Sequence, residues 1–143
     1  MLVQLAIGSV LIFVTMAVSA VFWLVLQRVL TGLHGWSQRP PHGEKLVAVL
    51  MIALFSTLLM MTSAVWIWAV ALKALGIFST LEASVYFSLV AFTTLGFGDV
   101  LLPLEWRLLG GLAAANGLLL FGLMTAMLVE TLRETRLRQR GES

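Results

Sequence analysis

Thr93-Thr94-Leu95-Gly96-Phe97-Gly98-Asp99 is the stretch on which the reading of this chain turns. Two glycines alternate with two bulky apolar residues, directly after a threonine pair and directly before an aspartate. Glycine reaches positive φ at little steric cost. Alternating it with ordinary residues lets successive carbonyls turn toward one side of the backbone, and the threonine hydroxyl adds another oxygen to that row. Non-helical backbone at membrane depth is tolerated only inside protein or along a watery cavity. The flanks of the run decide whether it lies at such a depth.

Of the 143 residues, 60% are hydrophobic and 11% charged, with a net charge of +2, and the mean hydropathy is +1.01. Ordinary soluble domains are about half apolar and a quarter charged. A soluble chain this short could not hide so much apolar side chain, so the composition places it in a membrane. The absence of cysteine excludes disulfides and thiolate metal sites.

Working outward, Ser79 to Thr93 is helix-length but too short to span a bilayer. Ser79 with Glu82 fits a Ser-x-x-Glu capping box, which predicts a short helix over about 80–92. Before it, Leu46 to Leu72 is an uncharged run long enough to cross the membrane, with Trp66 and Trp68 near its far end suiting an interfacial aromatic belt. After it, 106–132 reads as another span. Met1 to Gln27 is also uncharged. Val18-Ser19-Ala20 resembles a cleavage site, but the run lacks a positive leading segment and is too long for a signal peptide. It reads as a retained additional span over 1–30. A polar Gly- and Pro-containing loop follows at 31–45, and a tail with four arginines occupies 133–143.

Arg28, Arg39 and Lys45 flank or occupy the first loop, and Arg133, Arg136, Arg138 and Arg140 lie in the tail. Only Lys73 and Arg107 fall on the other side. The positive-inside rule puts loop and tail in the cytoplasm and the N-terminus outside, in a multi-pass protein of the plasma (inner) membrane.

A lone G-x-G is most often a turn. Phosphate-binding loops also use it, but no strand precedes this one and no G-K-[ST] follows. A re-entrant structural turn remains the plain alternative. What favours an ion pathway is the sequence of parts: span, short capped helix, T-T-x-G-x-G-D, span. Tyr86-Phe87-Ser88-Leu89-Val90-Ala91-Phe92-Thr93-Thr94-Leu95-Gly96-Phe97-Gly98-Asp99 resembles the pore helix and selectivity filter of the potassium-channel pore-domain family, T-[VIL]-G-[YF]-G-D. Asn116 to Ala126 resembles the inner-helix stretch around the gating glycine of small bacterial two-helix channels. The resemblance covers about 46–132 and leaves the first span, the loop and the tail outside it.

The resemblance implies an all-α membrane protein: a tetramer around one pore, each chain giving spans 46–72 and 106–132, a re-entrant pore helix 80–92 and a filter loop 94–99, with an additional first span. It implies that the carbonyls of Thr94, Leu95, Gly96 and Phe97, with the Thr94 hydroxyl, coordinate dehydrated K+, and that no other cofactor is needed. Thr93, Gly98, Asp99, Tyr86 and Val90 would support the filter, and Gly117 matches the hinge. Leu118, Phe121, Thr125 and Val129 recur at helical spacing and would face the cavity and gate. Three departures stand out, of which Leu95 in place of valine adds only a methylene. Phe97 replaces the commoner tyrosine, removing a hydroxyl. Val90 stands where some members carry a glutamate paired with the filter aspartate, which leaves Tyr86 as the candidate partner of Asp99.

Asn116, the one amide in the last span, is out of phase with the Leu118–Phe121–Thr125 face and reads as packing against a neighbouring helix. Gly110, Gly111 and Gly122 read as close-packing sites. His34 and His42 read as loop bystanders, and the methionines and tryptophans as packing or lipid-facing groups. Glu130 with Arg133 and Glu134 with Arg138 have helical spacing, so the last span is expected to continue as a helix. Its arginines could contact anionic lipid head groups or merely fix topology.

The leading functional expectation is a homotetrameric potassium channel without voltage sensor, since the first span lacks spaced arginines, and without ligand-binding domain. The alternatives are a weakly selective monovalent cation channel, motivated by Phe97, and a non-conducting scaffold subunit, motivated by the additional span. Nothing points to nucleic acid, and no nucleophile–base set points to an enzyme.

Overall fold

The computed structural model describes residues 1–33 and 42–139. The described residues are all-α: helix α1 over Leu2–Gly32, α2 over His42–Ala74, α3 over Leu81–Phe92 and α4 over Arg107–Gln139, the last entered through a 3-10 turn at Leu104–Trp106. Three of them, α1, α2 and α4, are long and apolar enough to cross a membrane. At 1.5 Å per residue the 31 residues of α1 reach about 46 Å, beyond a hydrocarbon core of about 30 Å. Large apolar side chains such as Phe13, Val21, Met51, Phe55 and Leu58 stand exposed, as lipid-facing positions do.

The helices pack around a core of Met60, Ala64, Trp68, Leu72, Phe92, Leu109, Ala113 and Leu120. The short α3 lies between α2 and α4. Its inner face carries two fully buried serines, Ser84 and Ser88, whose hydroxyls donate to Thr80 O (3.1 Å) and Ser84 O (2.8 Å) one turn back. Small, self-satisfied residues let helices approach closely where no apolar driving force separates helix from lipid. At the end of α3, Phe92 meets Trp68 edge-on, with centroids 6.1 Å apart. Trp68 is therefore a core residue and not part of an interfacial belt, whereas Trp66 is exposed.

The cap of α3 is shifted from its expected place by one residue. Thr80, not Ser79, is the N-cap, its Oγ1 accepting from the Ala83 N–H at 3.2 Å. Ser79 is drawn outward instead, its carbonyl accepting from Lys73 Nζ.

Helices α1 and α4 run parallel. The side chain of Gln4 accepts from the Leu108 N–H at 3.1 Å and donates to Glu105 O, so the start of α1 caps the start of α4. One turn on, Gly8 abuts Leu112 so tightly that a Cβ there would stand 2.3 Å from Leu112 Cδ1. Of the buried residues of α1, Gly8, Thr15, Ser19 and Leu26, Gly8 and Thr15 meet α4, at Leu112 and Asn116. Of the three glycines read as packing sites, only Gly110 is one within the chain, facing Leu102 and Phe87; Gly111 and Gly122 meet nothing within 4 Å. The histidine at position 34 lies outside the described residues, as do Arg39 and Arg140 and the side chains of His42 and Arg138.

Candidate functional site: the loop between α3 and α4

The site begins with how α3 ends. The Thr94 N–H donates to Ala91 O (3.0 Å) and the Leu95 N–H reaches back to Val90 O (3.1 Å). Thr94 turns the chain out of the helix in the left-handed region, at φ 55°. Helix α2 ends by the same two bonds, from Gly76 to Lys73 O and from Ile77 to Leu72 O, but there a glycine takes the left-handed position, at φ 70°. Glycine is the usual residue at such a cap. Among the described residues Thr94 is the only non-glycine with positive φ, a conformation that costs an L-residue about 1–2 kcal/mol. Strain of this kind persists where the surroundings hold it.

Past Thr94 the sign of φ alternates. Gly96 stands at 61° and Gly98 at 80°, while Leu95 and Phe97 between them keep ordinary negative values. In a strand, successive carbonyls point to opposite sides; left-handed residues at every second position bring them toward the same side. Among the described residues, the N–H and C=O groups of Gly96, Phe97 and Gly98 take part in no backbone hydrogen bond. The Leu95 and Phe97 side chains are 57% and 66% exposed. Backbone left unpaired within a chain must find water, an ion or another chain. The C-terminal end of α3, carrying partial negative charge, sits at the start of this run and favours a cation.

Asp99 closes the run. Tyr86 Oη, on the second turn of α3, donates to Asp99 Oδ2 at 2.6 Å, and the Val100 N–H donates to Oδ1 at 3.0 Å. The Tyr86 hydrogen bond holds the Asp99 carboxyl below its ordinary value of 3.8, and the same bond raises the Tyr86 phenol above 10.0. The sign follows. A depressed carboxyl contributes stability that is present above pH 3.8 and lost as pH falls through the lowered value. A raised phenol contributes stability present below pH 10.0 and lost above it. Tyr86→Phe is thus expected to lower the thermal stability of the purified protein by an amount constant from about pH 5 to about pH 9. The gap should narrow in stronger acid. A gap of the same size at pH 3 would mean that this bond does not titrate. Val90, one turn beyond Tyr86, is half-buried. Thr93 caps α3, its hydroxyl donating to Leu89 O at 2.8 Å.

Gly117 lies against the end of α3. A Cβ at this position would stand 2.2 Å from Phe92 O and 2.5 Å from Phe92 Cα, so close approach alone demands glycine here. The neighbouring Asn116 is fully buried and bonded to α1. Leu118, Phe121, Thr125 and Val129 fall on the other side of α4, and all four are exposed. Thr125 returns its hydroxyl to Phe121 O at 2.9 Å. Helix α4 continues without a break to Gln139. Near its end, exposed Arg133 and Arg136 border a cavity of about 330 Å³ with Val129, Leu132 and Leu137, and Arg133 stands 3.8 Å from Glu130.

Four contributors were not anticipated. Thr80 was hidden behind the adjacent Ser79, both being good caps. Gln4 could have been noticed as an amide inside an apolar run. Ser84 and Ser88, at i and i+4, mark the close-packed face of α3.

A family model described as "Ion channel" matches residues 47–134, more than half of the chain. The chain belongs to this ion-channel family. No curated protein and no solved structure matches it. The match starts within the first turns of α2 and ends in α4, so the channel domain holds the 93–99 loop and leaves α1 outside. The family is a channel domain and not a catalytic one, and among the described residues no three His, Cys, Asp or Glu side chains gather to hold a metal ion.

Proposed function

We propose that the chain is a potassium channel subunit, four copies of which surround one pore and pass K+ passively. The observation that carries this reading is the alternation of left-handed residues at Thr94, Gly96 and Gly98 at the end of the short apolar helix α3. A row of carbonyls arranged in this way can replace an ion's hydration shell. One loop offers one wall, so several copies must converge; four is the family arrangement. In this reading the carbonyls of Thr94, Leu95, Gly96 and Phe97 and the Thr94 hydroxyl hold K+. The strain at Thr94 supports that role, because glycine would relieve it but would take the hydroxyl away.

Thr93, Gly98, Asp99, Tyr86 and Val90 brace the filter. Bending of α4 near Gly117 opens a cavity lined by Leu118, Phe121, Thr125 and Val129. Exposed Arg133 and Arg136 rest on anionic head groups. The basic end of the bundle is cytoplasmic, and the loop and the start of α1 face outside.

Purified protein in liposomes under bi-ionic K+/Na+ conditions tests the assignment. Potassium should be preferred by at least about tenfold, equivalent to about 1.4 kcal/mol. Equal permeability would favour the second reading, a weakly selective cation pore, for which the exposed Phe97 without a hydroxyl is the reason. A tetramer that passes neither ion would be a scaffold.

A further inference from the structure

Away from the loop, a fully buried polar cluster joins α1 to α4. Thr15 and Asn116 are both fully buried. Asn116 Nδ2 donates to Thr15 Oγ1 at 2.8 Å, and Asn116 Oδ1 stands 3.1 Å from the same hydroxyl. The one Thr15 proton is shared between that oxygen and Ile12 O at 2.8 Å. Ser19, also buried, donates to Thr15 O at 2.7 Å. An amide at this depth has no water to turn to, so the α1 hydroxyl is its anchor.

The position of this anchor matters. Asn116 is followed by Gly117, which touches the Phe92 carbonyl, and Phe92 is followed by the threonine pair that enters the loop. Toward the loop side, α1 and α4 are locked by Gln4 at Leu108 and by Gly8 at Leu112. Toward the other side they part, leaving a largely apolar cavity of about 340 Å³ lined by Met16, Ala20, Trp23, Leu123, Ala126 and Met127 among others. The contact between α1 and α4 is therefore tight above Asn116 and open below it.

We propose that α1 is a working part of the pore: Thr15 is a positioning residue that, through Asn116, holds the Gly117 segment of α4 against the foot of the loop. Below this pin the rest of α4 swings toward or away from α1, using the cavity as its space. The inference rests on the ion-channel reading of the loop, and it assigns a role to the one span that the family match leaves out.

The test uses the full chain in liposomes with three variants and their combination. Thr15→Val keeps the shape and removes the hydroxyl; Asn116→Leu removes the amide; Thr15→Ser keeps the hydroxyl. Thr15→Val and Asn116→Leu should each change open probability by about fivefold, in the same direction. Their combination should do no more than either alone, because both break the same contact between the Thr15 hydroxyl and the Asn116 amide. Thr15→Ser should restore the wild-type value, and the K+/Na+ permeability ratio should hold throughout. A folded, conducting Thr15→Val protein with wild-type open probability would overturn the proposal, as would additive single effects.

A second readout does not depend on conduction. The chain has no native cysteine, so spin labels on cysteines placed at Ala20 and Ala126 report the width of the cavity. Thr15→Val should shift or broaden that distance, and an unchanged distribution would overturn the pin. A wild-type protein that passes no ion, yet shows the distance change, would sink the channel reading and leave the pin standing.

Discussion

Gly117→Ala is expected to destabilise the protein by about 3 kcal/mol or more, the upper end of the cost of overpacking a tight interior. The size follows from what the added methyl would meet: the carbonyl oxygen, Cα and carbonyl carbon of Phe92 at 2.2, 2.5 and 2.7 Å. These are backbone atoms at a helix end held by its own hydrogen bonds, so they cannot step aside as a flexible side chain can. Thermal unfolding in detergent would read the loss, and Gly122→Ala is the control. A Cβ at Gly122 meets nothing within 4 Å, and replacing glycine by alanine inside a helix adds up to about 1 kcal/mol. The pair of variants separates two reasons for glycine. If Gly117 served bending alone, alanine would stabilise the helix and change only how often the pore opens. If Gly117→Ala proved as stable as Gly122→Ala, the close contact between α3 and α4 would be refuted.

Gly96→Ala is expected to cut ion flux at least tenfold while leaving helix content and assembly intact. Gly96 sits at φ 61° with open space around its missing side chain. Within one chain the penalty is thus conformational, about 1–2 kcal/mol, and turning one peptide would relieve it. A turned peptide would remove a carbonyl from the proposed row, and in the proposed assembly of four it would remove four. Flux that survived this substitution unchanged would show that the loop is not the ion path.

Much of the architecture was legible in the sequence because a bilayer simplifies the problem. Uncharged runs of helix length have few alternatives there, and the α3 segment stood out by being too short to span. The loop was legible because Gly96 and Gly98 mark the positions where left-handed backbone is needed. The left-handed Thr94 was not, since no local signal places a β-branched residue in that region; the bonds from Thr94 and Leu95 back to α3 impose it. Tyr86 could be singled out as a candidate partner of Asp99 because the resemblance puts it at the pore-helix aromatic position, with Val90 in place of the glutamate some members carry. The partner of Asn116 could not be named, because the register of α1 against α4 is set by tertiary contacts such as Gly8 with Leu112. Trp68 was misplaced for a related reason. Tryptophan near a span end suits the interface, but packing against Phe92 drew it inward.

The cap that Gln4 places on α4 has a topological corollary. Helices α1, α2 and α4 are each long and apolar enough to cross a membrane; three crossings would put the two ends of the helical bundle on opposite faces of the bilayer, whereas a two-helix subunit would keep both on one. The start of α1 stands beside Glu105 and Trp106, with which Met1, Val3 and Gln4 share a cavity of about 430 Å³. A fluorophore or epitope attached there sits beside the start of α4, the element that follows the 93–99 loop, while one attached beyond α4 sits at the opposite end of that helix. The first helix therefore offers an address for reporting on the loop from its own side without altering any residue of the loop.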